Sequence, residues 1–291
     1  MTTILGDRTT IGSLTFNDRT AYPLPGLMYW CIDLLSPWDD TAEVQVDFQR
    51  IETVDGETPG ESSTYPGKQY TIGGYVLAED RETAEAAWDL IARDVMPRGR
   101  DVQVLREGPI PKFTTVRMNG VRSVDWRERN CGFRWSVSSR AYDPLRYAVT
   151  PWEGETGVAG QASGGRTYPR TYPMRYMVSE NGQNNRLEVV NLGTADTPKV
   201  FINLTGPLPL GAWRIVNETT GALLKYDIEV PAGQILAIDM AAELATLGGV
   251  SVTAPVTGDF FRLAPGTNVL RVFSEYDEAA RMSVVAYSAW E

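Results

Sequence analysis

The chain has 291 residues, with 27 Lys and Arg against 37 Asp and Glu, a formal net charge of −10 and no histidine. Its length allows one large or two ordinary domains, and an apolar fraction of 43% is enough for a full core. The acidic balance argues against specific nucleic-acid binding, which takes a Lys/Arg surplus on some face. Without histidine the usual general base, the commonest metal ligand and the Ser-His and Cys-His nucleophiles are all missing.

No stretch reaches the apolar run of about 20 residues that a membrane span needs. The opening residues Met1–Arg8 lack the charged-then-apolar plan of a signal peptide, so synthesis in a cytoplasm is expected. Cys31 and Cys131 each sit in an apolar, strand-like segment. They read as two reduced core thiols, or else as a disulfide between neighbouring strands. Two cysteines without histidine make no zinc site.

Residues 1–26 are turn-rich and suit an arm or an edge strand. Leu27–Leu35 reads as a buried strand, and the alternation of Val44, Val46 and Phe48 as a half-exposed one running to Thr53. Asp55–Gly67 holds three Gly, two Pro and little to bury, so a long mobile loop is expected. A strand over Gln69–Leu77 leads to one helix, with Asp80 placed to cap it and Glu82 and Glu85 near its positive end. Ala84, Ala87, Trp88, Ile91 and Val95 form its apolar stripe, and Pro97 with Gly99 ends it.

Val102–Arg106 is a further strand. Asn119-Gly120 predicts a two-residue hairpin between Thr115–Met118 and Val121–Trp126. Phe133, Trp135 and Val137 alternate with polar neighbours in the last strand of this half. The composition then shifts to Gly, Ser and Thr-Tyr-Pro repeats. We therefore expect three parts: a β-domain with one helix over 1–148, a linker and lead-in strand over 149–175, and an antiparallel β-sandwich over 176–291.

In the last part Val200, Ile202 and Leu204 alternate with their neighbours, then Trp213 and Ile215, then Leu224, Tyr226, Ile228 and Val230. Turns at Thr205–Pro207, Thr219–Gly221 and Pro231–Gly233 leave connections too short for parallel crossovers. Met240–Leu247 is predicted as a short helix capped by Asp239, and strands near Val250–Thr253, Val269–Phe273 and Arg281–Trp290 close the array.

No catalytic, cofactor or metal residues can be named. Asp39-Asp40 and Asp277-Glu278 are sequence neighbours beside turns and read as solvated surface. Asp33–Glu43 and Asp55–Glu61 miss the spacing of a calcium loop. Gly157–Gly164 lacks the Lys-Ser/Thr of a phosphate loop. Trp152, Tyr168, Tyr172 and Trp213 would make either a sugar-stacking platform or core and linker anchors.

The string V-V-N-L-G-T-A-D-T-P-K-V-F-I-N-L-T-G (189–206), with V-N-E-T-T-G (216–221), I-L-A-I-D (235–239) and F-R-L-A-P-G-T-N (261–268), resembles the C-terminal domain of phage distal tail proteins. In the first half Y-P-G-K-Q-Y-T-I-G-G-Y (65–75), the helix over 82–91 and A-Y-D-P (141–144) are similar to the N-terminal domain of that family, in the same order. The resemblance implies a structural, non-enzymatic virion protein: a minor tail protein in the baseplate hub of a siphophage. It would form a homo-oligomer, a hexameric ring built by the first half, with a galectin-like or jelly-roll-like sandwich outside. Its partners would be the tail tube protein, the tail-tip hub or tail-associated protein and the tape measure protein. Two other functions stay open: a module binding a cell-wall carbohydrate, and a depolymerase, which needs a convergent carboxylate pair.

Overall fold

The computed structural model describes residues 7–160 and 185–291, except 19, 40–44, 51–56, 65–66, 97–98, 128–130, 211–212, 254–255 and 275–279. It divides into two compact units, Met1–Val149 together with Glu291, and Thr150–Trp290. Both are built almost wholly from antiparallel strands, and one α-helix occurs among the described residues.

The first unit holds β1 (Thr9–Ile11), β2 (Leu14–Phe16), β3 (Leu27–Ser36), β4 (Gln45–Arg50), β5 (Glu57–Thr64), β6 (Lys68–Ala78), α1 (Arg81–Leu90), β7 (Asp101–Arg106), β8 (Lys112–Arg127), β9 (Gly132–Ala141) and β10 (Arg146–Ala148). Its sheet runs β2-β1-β7-β8-β9-β6-β3, with β10 against β8. α1 begins where expected: the Asp80 carboxylate accepts the Thr83 N–H, satisfying a donor the first turn leaves orphaned. Its axis continues through one π-helical turn, Ile91–Val95. Ala84, Ala87, Ile91 and Val95 are fully buried, and Trp88 meets Phe133 of β9 edge-to-face at 5.8 Å. Small residues let the helix sit close to the sheet, while burial of Ile91 and Val95 contributes about 1.5–3 kcal/mol each.

Three expectations for this unit fail. Asn119-Gly120 is not a hairpin turn, because β8 runs straight through it for 16 residues. The register shows why: Met118 faces Ser139 and Arg122 faces Val137, so β8 uses four positions where β9 uses two. The residues between Met118 and Arg122 form a bulge in place of a turn. Glu57–Thr64, expected to be loop, is a strand paired to Gln45–Arg50, and the two pair with no other strand among the described residues. Backbone hydrogen bonds can hold a ribbon that composition marks as coreless, although such a hairpin alone is marginal in water. Asp55, Gly56, Tyr65 and Pro66 lie outside the described residues. Finally, β3 is buried on one face only: Met28, Tyr29 and Leu34 are 45%, 49% and 40% exposed.

The second unit is a two-sheet sandwich. One sheet comprises β11 (Trp152–Gly157), β14 (Val200–Thr205), β17 (Ile235–Asp239), β18 (Leu244–Leu247), β19 (Val250–Ser251) and β22 (Arg281–Ala286). The other comprises β12 (Ala159–Gly160), β13 (Arg186–Asn191), β15 (Trp213–Asn217), β16 (Leu223–Tyr226), β20 (Val256–Gly258) and β21 (Gly266–Ser274). Val200, Ile202, Leu204, Leu236, Ile238, Met282 and Val284 from the first sheet share a core with Trp213, Ile215, Leu224, Tyr226, Leu270 and Val272 from the second. Trp213 stacks on Tyr226 with ring centroids 5.2 Å apart.

The helix expected over Met240–Leu247 is absent. Asp239 does cap, accepting the N–H groups of Ala241 and Ala242, but the chain turns at Glu243 (φ 50°) and returns as β18 alongside β17. An Asx-type cap serves a turn as well as a helix. Strand β11 falls within the span expected to be linker and lead-in strand, and pairs with β22 throughout.

Candidate functional site

Among the described residues β3 is one edge of the first unit's sheet, and a short loop covers part of it. Asn17, in the left-handed conformation (φ 62°), donates its backbone N–H to Trp30 O. Its side chain accepts the Ile32 N–H at 3.0 Å and donates to Ile32 O at 3.2 Å. The Tyr22 hydroxyl donates to Met28 O. One residue thus supplies what a neighbouring strand would, and Phe16 stacks flat on Trp30 at 4.7 Å beneath it.

Farther along, β3 carries a bulge. Ile32 faces Gly74 and Leu34 faces Gly73, leaving Asp33 without a partner on β6. A bulge re-aims the residue it expels, and Asp33 reaches across β6 to pair with Arg134 of β9. On the face that the pair crosses, β6 carries Gly73, which has no side chain. A Cβ there would lie 2.8 Å from Trp135 O, and one on Gly74, which faces the core, 2.1 Å from Cys31 O. The result is a cleft of about 520 Å³ lined by Asp33, Leu34, Gly73, Ser123, Asp125 and Arg134, among others. The hydroxyls of Ser123 and Ser136 lie 2.8 Å apart, and Asp125 pairs with Arg127 at 2.7 Å.

The residues singled out from sequence do not converge. Asp39, read as solvated, bridges Arg106 (3.0 Å) and Arg146 (3.5 Å), while Asp40, Asp277 and Glu278 lie outside the described residues. Trp213 is 1% exposed and Trp152 packs on the sandwich core. Tyr168 and Tyr172 are outside the described residues, so no four-aromatic platform can be drawn. Cys31 and Cys131 are not joined in a disulfide, and both are partly buried rather than sealed in the core. Burial pushes the Cys31 thiol up from its ordinary value, and its Sγ donates to Tyr75 O. Among the described residues no group of His, Cys, Asp and Glu could hold a metal ion, and no helix is long and apolar enough to cross a membrane.

Sequence reasoning missed the buried asparagines of the sandwich. Asn191, Asn217 and Asn268 are 0–2% exposed. Asn191 donates to Ala195 O (2.8 Å) and Leu263 O (3.1 Å) and accepts the Gly193 N–H. Asn217 accepts the Thr219 N–H, and Asn268 accepts from Ala264 N and donates to Ala264 O. The signal was present: each ends or begins a strand one or two residues from Gly or Thr, where an amide side chain can close an Asx turn.

These are the asparagines of the N-L-G-T, V-N-E-T-T-G and P-G-T-N strings, and residues 192–289 match the family model for the siphovirus-type tail component, C-terminal domain. The C-terminal part of the sandwich is similar to that tail component domain. Among solved structures, the SPP1 Dit (gp 19.1) protein, described as a paradigm of the hub adsorption apparatus in phages infecting Gram-positive hosts, shares the fold. Its TM-score is 0.62 at 12% identity, over 96% of this chain and 98% of that one. A chain of the phage P2 baseplate in its activated conformation with Ca aligns at TM-score 0.47 and 10% identity, over 97% and 98%. No curated protein matches by sequence. The sandwich thus carries its asparagine-capped turns as structure, holding the ends of strands that border a two-sheet core.

Proposed function

We propose that the protein is a distal tail protein: a ring in the tail-tip hub that joins the tail tube to the host-recognition apparatus of a long, non-contractile-tailed phage. The carrying observation is the family match of the sandwich, and the shared fold over 96% of the chain is consistent with it. The mechanism is mechanical. A closed ring satisfies every copy's interface and leaves an axial channel. In this reading the first unit forms the ring, with six copies around it, and the sandwich, β11 and β12 included, lies outside. The ring stacks between the tail tube protein and the tail-tip hub protein, with the tape measure protein as a further neighbour. No enzymatic step is assigned.

The polar ribbon β4–β5 supports an assembly role. Among the described residues these two strands pair only with each other, a ribbon that is marginal alone, and a neighbouring copy would supply further surface. Negative-stain microscopy of the purified full chain tests the proposal. A six-fold ring with a central opening is expected. Monomers at tens of micromolar, with and without the tube protein, would overturn it.

A further inference from the structure

Three irregularities meet at one place on the outer face of the first unit's sheet. The bulge in β3 expels Asp33, Gly73 leaves β6 without a side chain beneath it, and the hydroxyls of Ser123 and Ser136 face each other on the far side. Glycine inside a strand weakens it and often marks close approach by another group. The resulting cleft, about 520 Å³, lies within the roughly 300–1,000 Å³ of small-ligand sites.

The lining identifies the ligand class. Each carboxylate already has a cationic partner, Asp33 with Arg134 and Asp125 with Arg127. A charged ligand would have to displace one of these pairs, whereas a neutral one leaves both in place. Paired carboxylates still accept hydrogen bonds from hydroxyls, the Arg134 guanidinium has further N–H donors, and Ser123 and Ser136 do both. Leu34, 40% exposed at the rim, offers the one large aliphatic surface. Alternating donors and acceptors around a small apolar contact suit a polyhydroxylated ring. A protein partner would call for a broader apolar centre.

We propose that the cleft over Gly73 is a saccharide-binding site for a neutral hexose unit. Hydroxyls of the sugar donate to Asp33 and Asp125 and accept from Arg134, the two serines bridge, and the ring's C–H face rests on Leu34. The site belongs to the first unit and stands apart from the ring reading. Microscopy tests that one, and ligand binding tests this.

The experiment is saturation-transfer difference NMR on the full chain with methyl glycosides of glucose, galactose and N-acetylglucosamine. Tri-lysine is run as a cationic competitor, and Asp125→Ala and Ser136→Ala are run beside the parent. Both substitutions lie at the surface of the sheet, and unchanged melting curves verify that they fold. Transfer to at least one sugar is expected, weakened about tenfold in Asp125→Ala and less in Ser136→Ala, with no effect of tri-lysine. Absence of transfer from all three sugars would overturn the site. So would transfer that both variants leave unchanged, or displacement by tri-lysine, which would make the cleft a cation site.

Discussion

The two units solve the same problem, burying one face of antiparallel strands, in opposite ways. The sandwich faces two sheets across a shared core, and its strands alternate regularly, with buried and half-buried positions taking turns along Val200–Thr205. The first unit closes its single sheet with a helix and a stacked Phe16-Trp30 pair, and leaves Met28, Tyr29 and Leu34 in solvent. It also concentrates irregularities, with bulges at Asp33 and near Asn119 and a polar ribbon that pairs with nothing else among the described residues. A sandwich can satisfy itself. A sheet covered on one face by a helix has another left over, and that is where bulges and exposed apolar chains have something to do.

The sharpest way to break this contrast is to empty the sandwich core. Trp213→Ala removes the ring stacked on Tyr226 and is expected to cost about 3–5 kcal/mol, read by denaturant unfolding of the sandwich's signal. The first unit's signal should be unmoved, and a joint loss would show that the two units unfold as one. Next in size is Asn191→Ala, which leaves the carbonyls of Ala195 and Leu263 without that donor and should cost about 2–3 kcal/mol. If the cost is negligible, the buried asparagines are not what holds the strand ends.

On the other side, Asn17→Ala uncovers the edge of β3. We expect about 1–2 kcal/mol of destabilisation and, more tellingly, concentration-dependent association by sedimentation velocity. Stability lost without association would mean the edge needs no cover. The smallest effect distinguishes the units by pH. Burial pushes Tyr70 in the first unit and Tyr226 in the second up to about 12, from an ordinary value of 10.0. A folded value above the unfolded one means that this stability is complete below pH 10 and declines as pH rises towards 12. Tyrosinate absorbance should show both groups ionising late, and Tyr226→Phe should flatten the decline for the sandwich alone.

Much of this was legible in the chain. The helix over Arg81–Leu90 was, because Asp80 and a stripe at three- and four-residue spacing are local signals that tertiary contacts only reinforce. The sandwich strands were too, since period-two alternation reports a half-buried surface wherever the partner sheet lies. Asn119-Gly120 was misread because such a pair can stand in a turn or within a bulged strand, and only the register against β9 chooses between them. Asp239 was misread likewise: its cap is present, but whether the chain beyond continues as helix or returns as strand depends on β17 waiting beside it. Of the cleft, the sequence held Gly73-Gly74 and Asp33 in plain view, forty residues apart and with nothing local to join them.

By itself the sequence determined the periodicities, the caps, the acidic surface and the absence of histidine chemistry, all properties of residues and their near neighbours. Tertiary structure decided which strand pairs with which. Val200–Thr205 and Trp213–Asn217, consecutive and alike in pattern, enter different sheets, while Asp33 meets Arg134 across 101 positions of chain. The physical reason is that burial is set by alternation within a strand, whereas register and sheet membership depend on long-range hydrogen bonds that no local pattern encodes.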